Sequence, residues 1–316
     1  MLSTAGKRRT TTPDGDGKSD DAASAKADPR KTEARTESCR EDQPLCIMQS
    51  NWDDSDDRLT VSYYHRDMQC QLKAGPHQLL AGAWDWEITA GEKQLHSLHE
   101  DDGARWENTC WEQNQEVTYA EMQLDLAAGR QIQRQIFLAR RERFAFLADV
   151  VAIPAVQDAQ YRLTLKLGEQ LRGTTAAQTR EITLSHSRRP IARVLPVSLP
   201  EWRRQSGGEL HSAGGLTLTQ PVSGRFGHAA LFIDLDPRRI KRQLTWRRLT
   251  VGESLQIIPS EVAVGYRIQI GKEQWLIYRS LGPRGNRTVL GQNFSTEFVV
   301  ARFRPNGIAE KLLEIL

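Results

Sequence analysis

Apolar residues recur at every second position through most of this chain, and nowhere do they hold a helical spacing over three turns. From Val117 to Leu126, Met122, Leu124 and Leu126 share one face, and Glu121, Gln123 and Asp125 share the other. Ala127-Ala128-Gly129-Arg130 turns the chain, and Gln131 to Arg140 returns with Ile132, Ile136 and Leu138 facing together. Arg141-Glu142-Arg143 turns it again into the almost wholly apolar run Phe144 to Ile153, closed by Pro154. Three strands joined by short turns make a meander. The alternation continues through Tyr161 to Leu167, Ile182 and Leu184, Leu216 and Leu218, Ala229 to Leu235, Val262 to Ile270, Gln274 to Ser280 and Thr296 to Phe303. Ile308 to Leu316 reads as a short helix or a last strand. Short strands separated by Gly, Pro and Asn turns, without βαβ alternation or a repeat of fixed period, predict an all-β protein. The expected body is one large antiparallel β-sandwich, supersandwich-like, over residues 43–316.

Residues 1–42 are rich in Thr, Ser, Asp, Lys, Arg and Ala, and too poor in large apolar side chains to offset their ordering entropy. A disordered polar tail is therefore expected there. The net charge of +3 is spread among interspersed acids and bases, so the sequence carries no electrostatic footprint for nucleic acid. No apolar run reaches the length of a membrane span. The start, Met1 to Arg9, lacks the apolar stretch of a secretory signal, which reads as cytoplasmic as written and as exported if the true start lies elsewhere. Four cysteines, Cys39, Cys46, Cys70 and Cys110, are too few for a disulfide framework; Cys46 with Cys70 is one possible pair, and free thiols are the other reading. The oligomeric state is not encoded in any pattern found.

Arg134 is the most informative single residue. Alternation puts it on the face of Ile132, Ile136 and Leu138, so its guanidinium points at the core and needs an acidic partner. Asp149, which interrupts the apolar run after Phe144, is the natural one. The pair is either a structural ion pair that fixes strand register, or Arg134 faces a ligand from the concave side of a sheet. Trp84 and Trp86 lie on one face of a strand opposite Asp85 and Glu87, and Trp106 and Trp111 bracket Glu107 to Cys110. Such aromatics fill sandwich cores; exposed, they stack on the C–H faces of sugars. Solvent exposure separates the two readings.

The segment His96 to Asp102 is rich in metal-ligand side chains, but Asp101-Asp102-Gly103 favours a loop. Asn51 to Asp57 lacks the glycine and terminal glutamate of a calcium loop and reads as solvated. No metal and no cofactor is expected. Asn286 and Asn293 fit the glycosylation sequon, which matters only on a secretory route. There is no phosphate-binding loop, dinucleotide fingerprint, nucleophile elbow or His-Glu-x-x-His, and no catalytic residue is assigned.

Trp106-Glu107-Asn108, Val117-Thr118-Tyr119, Gln131 to Leu138 and Arg143 to Val151 together resemble the β-sandwich part of heparinase II/III-like polysaccharide lyases. In that family an arginine-bearing strand pairs with one ending in an aspartate and two aliphatics. The resemblance implies the sandwich and a carbohydrate-associated ancestry. It also implies an α/α toroid that supplies much of the catalytic site. The residues before Trp106, a polar tail followed by strands, cannot build one, so no catalytic residue carries over. The expected function is therefore a non-catalytic sandwich whose candidate partner is a polysaccharide or a protein. The alternatives are a lyase or hydrolase on acidic glycans, with Tyr63, Tyr64, His65 and Arg134 as candidates, and a purely structural module.

Overall fold

The computed structural model describes residues 38–40, 44–50, 56–91, 93–97, 103–154 and 159–316. Most of the segment expected to be a polar tail lies outside them. Ser38–Arg40, inside that segment, is a strand paired with Leu45–Gln49, so the sheet structure begins earlier than its polar composition suggests. Every strand pairing among the described residues is antiparallel, in four sheets.

An outer sheet of nine strands includes Arg58–Tyr64, Asp67–Ala74, His77–Ala90, Ala159–Leu167 and Leu216–Val222. A central sheet of eight strands runs in the order Leu171–Thr175, Ile182–His186, Arg189–Leu195, Phe226–Asp234, Phe144–Ala152, Arg130–Ala139, Val117–Leu126 and Trp106–Gln113. A third sheet of five strands begins at the edge strand Leu244–Leu249 and continues through Ala263–Ile270, Glu273–Ser280, Phe298–Phe303 and Ala309–Ile315, so the C-terminal segment is a strand and not a helix. A small sheet of four strands, between Gly252 and Phe294, covers the far side of the third.

The meander Val117–Leu126, Arg130–Ala139 and Phe144–Ala152 forms the middle of the central sheet. Ala145, Leu147 and Val151 enter the first core, against the outer sheet; Phe144, Phe146, Ala148 and Val150 enter a second, against the third sheet. Burial on both faces explains why this strand lacks the polar half of the period-two pattern. The face of Val117–Leu126 that carries Glu121 is not all solvated, because the third sheet covers Tyr119 and Glu121.

Candidate functional site

Arg134 lies fully buried in the first core, opposite Asp149 in strand register. Its Nε and Nη2 donate to the two Asp149 oxygens at 2.8 and 3.1 Å, and its Nη1 donates to the Trp84 carbonyl at 3.1 Å. The guanidinium carbon sits 4.1 Å from the Trp84 ring centre and 4.7 Å from that of Trp106, within cation–π range. Tyr161 adds a 2.6 Å hydrogen bond to Asp149, and burial, followed by the Asp149 charge, holds its phenol well above the ordinary range. Trp86 is buried in the same core, and Trp111 packs half-buried against it. Trp84, Trp86 and Trp106 thus present no ring face to solvent, and Arg134 faces protein on every side. The ligand-facing reading of these side chains gives way to core packing, because the alternation that aligned them aimed them between the sheets.

The other candidates are also accounted for locally. Asp57 is buried and takes two hydrogen bonds from Arg143, at 2.8 and 2.9 Å, so this residue of the Asn51–Asp57 segment is not solvated; residues 51–55 lie outside the described ones. His96 lies 3.0 Å from Arg130 through its Nε2, and residues 98–102 lie outside the description. Among the described residues no cluster of three His, Cys, Asp or Glu side chains could hold a metal ion. Tyr63 is buried and Tyr64 exposed. Cys39 and Cys46, opposite each other on adjacent strands, form a disulfide; Cys70 is a buried free thiol, so the Cys46–Cys70 pair is not formed.

A concave polar site exists elsewhere, where the central sheet is incomplete. Arg189–Leu195 pairs with Phe226–Asp234 only as far as Leu195 and Phe232, after which the chain turns away at Pro196. The freed side of the strand is met by side chains. Ala230 N–H donates to Ser198 Oγ at 3.1 Å, Ser198 donates to Gln220 Oε1 at 2.7 Å, and Gln220 Nε2 donates to the His228 carbonyl at 2.9 Å. The gap opens a cleft of about 280 Å³ between the layers, with His228 and Tyr266 among its lining residues; a second cleft of about 460 Å³ shares Ser198, Pro200 and Arg248 with it.

The wall of this double cleft is the loop from Ser198 to Gly208, and a buried arginine shapes it. Arg180 donates to the carbonyls of Pro200 and Gly208, both at 2.9 Å, and to those of Trp202 and Gln205. Gly208 closes the loop so near Thr219 that a Cβ would stand 2.2 Å from its carbonyl oxygen. Trp246 Nε1 donates to the Leu199 carbonyl at 3.0 Å and Thr245 to Glu201 at 2.6 Å, tying the loop to the edge strand Leu244–Leu249. Trp202 is left 39% exposed, with the Arg204 guanidinium 5.8 Å from its ring centre. Arg204, Arg247 and Arg248 are exposed, line the cleft and pair with no carboxylate among the described residues. By contrast, on the open outer face near Asp85 and Glu87, Arg162 is engaged by Glu87 at 2.9 Å.

The floor connects to a polar chain through the second core. Tyr266 Oη lies 2.8 Å from His228 Nδ1, and His228 Nε2 lies 3.1 Å from Gln135 Oε1. Gln135 Nε2 donates to Tyr119 Oη at 3.0 Å, and Tyr119 donates to Glu121. Arg279 clasps both Glu121 oxygens, each at 3.0 Å. Burial, helped by the Arg279 charge, pushes His228 down to about 3, so its imidazole is neutral near pH 7. Burial pushes the Tyr266 phenol up, opposed by Arg248. The sequence reading found none of these residues. Arg279 alternates with Trp275 and Ile277 as Arg134 does with its neighbours, and that signal was available; the cleft wall, formed by a loop, carries none.

No protein-family model and no curated protein matches the sequence. Solved structures do match the fold. Heparan sulfate lyase HepC from Pedobacter heparinus is similar with a TM-score of 0.52 at 7% identity, over 75% of this chain and 41% of that one. A mutant form of it gives 0.53 at 8% identity, and a heparinase III gene product 0.51 at 7%, over the same shares. At such identities the likeness is one of fold, and this chain spans 41% of the length of those it matches. The fold is a partial heparinase-like β-sandwich.

Proposed function

We propose that this protein binds an acidic polysaccharide in the cleft walled by Trp202, Arg204, Arg247 and Arg248, without carrying out chemistry on it. The observation that carries this reading is an exposed indole with the Arg204 guanidinium 5.8 Å from its ring centre, in a cleft also lined by Arg247 and Arg248, none of the three arginines engaged by a carboxylate among the described residues. Sugar rings stack on an indole through their C–H faces, and sulfate or uronate oxygens take paired hydrogen bonds from arginine. The sandwich shared with heparan sulfate lyases supports a glycan as the ligand. The Cys39–Cys46 disulfide supports the exported alternative, since cystines persist in oxidising compartments. Calorimetric titration of heparan sulfate into wild-type protein and the Trp202→Ala variant tests the site. Binding by the wild type that weakens about tenfold or more in the variant is expected, since a stacked aromatic is worth roughly 1–3 kcal/mol; equal binding by both overturns it.

A lyase acting on the same polymers is the second reading, favoured by Tyr266, His228 and Arg248 meeting at one cleft. Against it stands the Tyr266 phenol, which burial pushes upward, away from what a general base needs near pH 7. Incubation with uronate-containing polymers decides between the two; growth of unsaturated-product absorbance establishes the lyase.

A further inference from the structure

Three turns meet at one end of the outer and central sheets. Gly75-Pro76 joins Asp67–Ala74 to His77–Ala90, Gly168-Glu169-Gln170 joins Ala159–Leu167 to Leu171–Thr175, and Ser187-Arg188 joins Ile182–His186 to Arg189–Leu195. Packing fixes their places: Gly168 N–H donates to the Leu79 carbonyl at 3.1 Å, and a Cβ on Gly168 would stand 2.2 Å from the Gln78 carbonyl oxygen. The rings of His77 and His186, both half-buried, come to 4.9 Å between centres. Arg189 lies opposite His186 in register, on the same face of the hairpin, and is exposed. Ser187 and Arg188 both hold positive φ, 48° and 69°, which L side chains adopt at a cost in strain. Glu169 is the one carboxylate of the three turns, and Arg189 pairs with no carboxylate among the described residues. Lys73 and Arg172 lie one position along from the strand partners of His77 and His186. Burial, then the charges of His186 and Arg189, hold the His77 imidazole below the ordinary histidine range. His186 Nε2 lies 2.8 Å from Gln170 Oε1, and an amide oxygen only accepts, so this nitrogen carries a proton. In the neutral ring Nδ1 is then bare, and protonation turns it into a donor.

We propose that His77, His186 and Arg189 form an acid-activated site for a tetrahedral oxyanion such as sulfate, free or esterified. Acidification charges imidazoles, and two imidazolium rings beside a guanidinium repel one another. An anion relieves that repulsion by taking charge-assisted hydrogen bonds from His186 Nδ1–H, a His77 ring N–H and the Arg189 fork. The linkage is reciprocal: protons tighten anion binding, and the bound anion raises the midpoints at which the two histidines titrate. The site shares no residue with the cleft and does not depend on what the cleft binds.

Imidazole NMR titrations of the full chain test this, run in sodium sulfate, in sodium methyl sulfate and in sodium chloride at matched ionic strength. His77→Gln and His186→Gln assign the two signals, and His211, on the outer sheet, serves as an internal reference. Sulfate at about twice its dissociation constant is expected to raise both midpoints by roughly half a pH unit over chloride and to leave His211 in place. In Arg189→Gln, whose substituted side chain is exposed, the rise is expected to vanish while the fold persists by circular dichroism. A rise in methyl sulfate as well marks an ester as a ligand, and a rise in sulfate alone marks the free ion. Equal midpoints in all three salts overturn the proposal, as does a rise shared by His211 or kept in Arg189→Gln. Zinc chloride is the last arm: loss of both signals to micromolar zinc, with no response to sulfate, overturns it in favour of a cation site.

Discussion

A guanidinium withdrawn from water must be met by fixed acceptors. Arg134 is met by both oxygens of Asp149, the Trp84 carbonyl and two indole faces. Deleting the acid strands the cation, and Asp149→Ala is expected to destabilise the fold by about 3–5 kcal/mol in urea titrations; a loss within about 0.5 kcal/mol, as for an ordinary surface change, would contradict the pairing. His228 makes a second demand. Its pKa falls from 6.5 to about 3 on folding, so between these values the unfolded chain binds more protons than the native one. Stability therefore rises with pH across that window and is lost as pH falls through it, at roughly 1 kcal/mol per pH unit from this residue. Subtracting the pH–stability curve of a His228→Gln variant, which cannot titrate there, should leave that slope as the difference; parallel curves would exclude the assignment. Much of the Arg134 environment was legible, because alternation fixes the direction of a strand side chain and only one acid interrupts the neighbouring apolar run. The His228 chain was not: its partners Glu121 and Arg279 lie 158 positions apart, and strand periodicity says which way a residue points, not what lies opposite.

Among the elements, the loop from Ser198 to Gly208 decides whether there is a site at all. Its carbonyls converge on the Arg180 guanidinium, an arrangement no local propensity dictates, which is why the sequence offered no sign of it. Arg180→Gln keeps a polar side chain but loses the fork, and trypsin should then cleave after Arg203 or Arg204 well before the rest of the chain is attacked. Unchanged protection there would mean that the loop is held by other contacts. The cysteines give a second check. Alkylation of denatured, unreduced protein should label Cys70 and Cys110 and leave Cys39 and Cys46 blocked; four labelled thiols would contradict the cross-strand disulfide. The strands themselves were largely readable, and their ends shifted by a few residues where turns took over. The C-terminal segment was ambiguous because Leu312 and Leu313 are adjacent, both buried, across an irregularity in the pairing with Val300 and Ala301.

At the scale of the molecule, the sequence pointed to one sandwich, and the chain forms a stack of sheets with the central one buried on both faces. The nearly continuous apolar run Phe144 to Ile153 held that information, since a strand with one wet face keeps its polar half. Its slowest amide exchange should lie in Phe144–Ala152 and Phe226–Asp234. The likeness to heparan sulfate lyases is one of fold, and the charge and aromatic pattern of the cleft comes from the Ser198–Gly208 loop and the edge strand Leu244–Leu249. On the proposed reading, this cleft takes an acidic polysaccharide through arginines that no carboxylate engages among the described residues. The most direct measurement is the dissociation constant of a heparan sulfate octasaccharide for wild type and for a combined Arg204→Gln, Arg247→Gln, Arg248→Gln variant, at low and high salt. All three side chains are exposed, so the fold should be unaffected. Wild-type binding that weakens as salt screens it is expected, with a loss of about a hundredfold or more in the variant at low salt, from roughly 1 kcal/mol or more per arginine. Equal affinity in the two proteins, or wild-type affinity indifferent to salt, would contradict it.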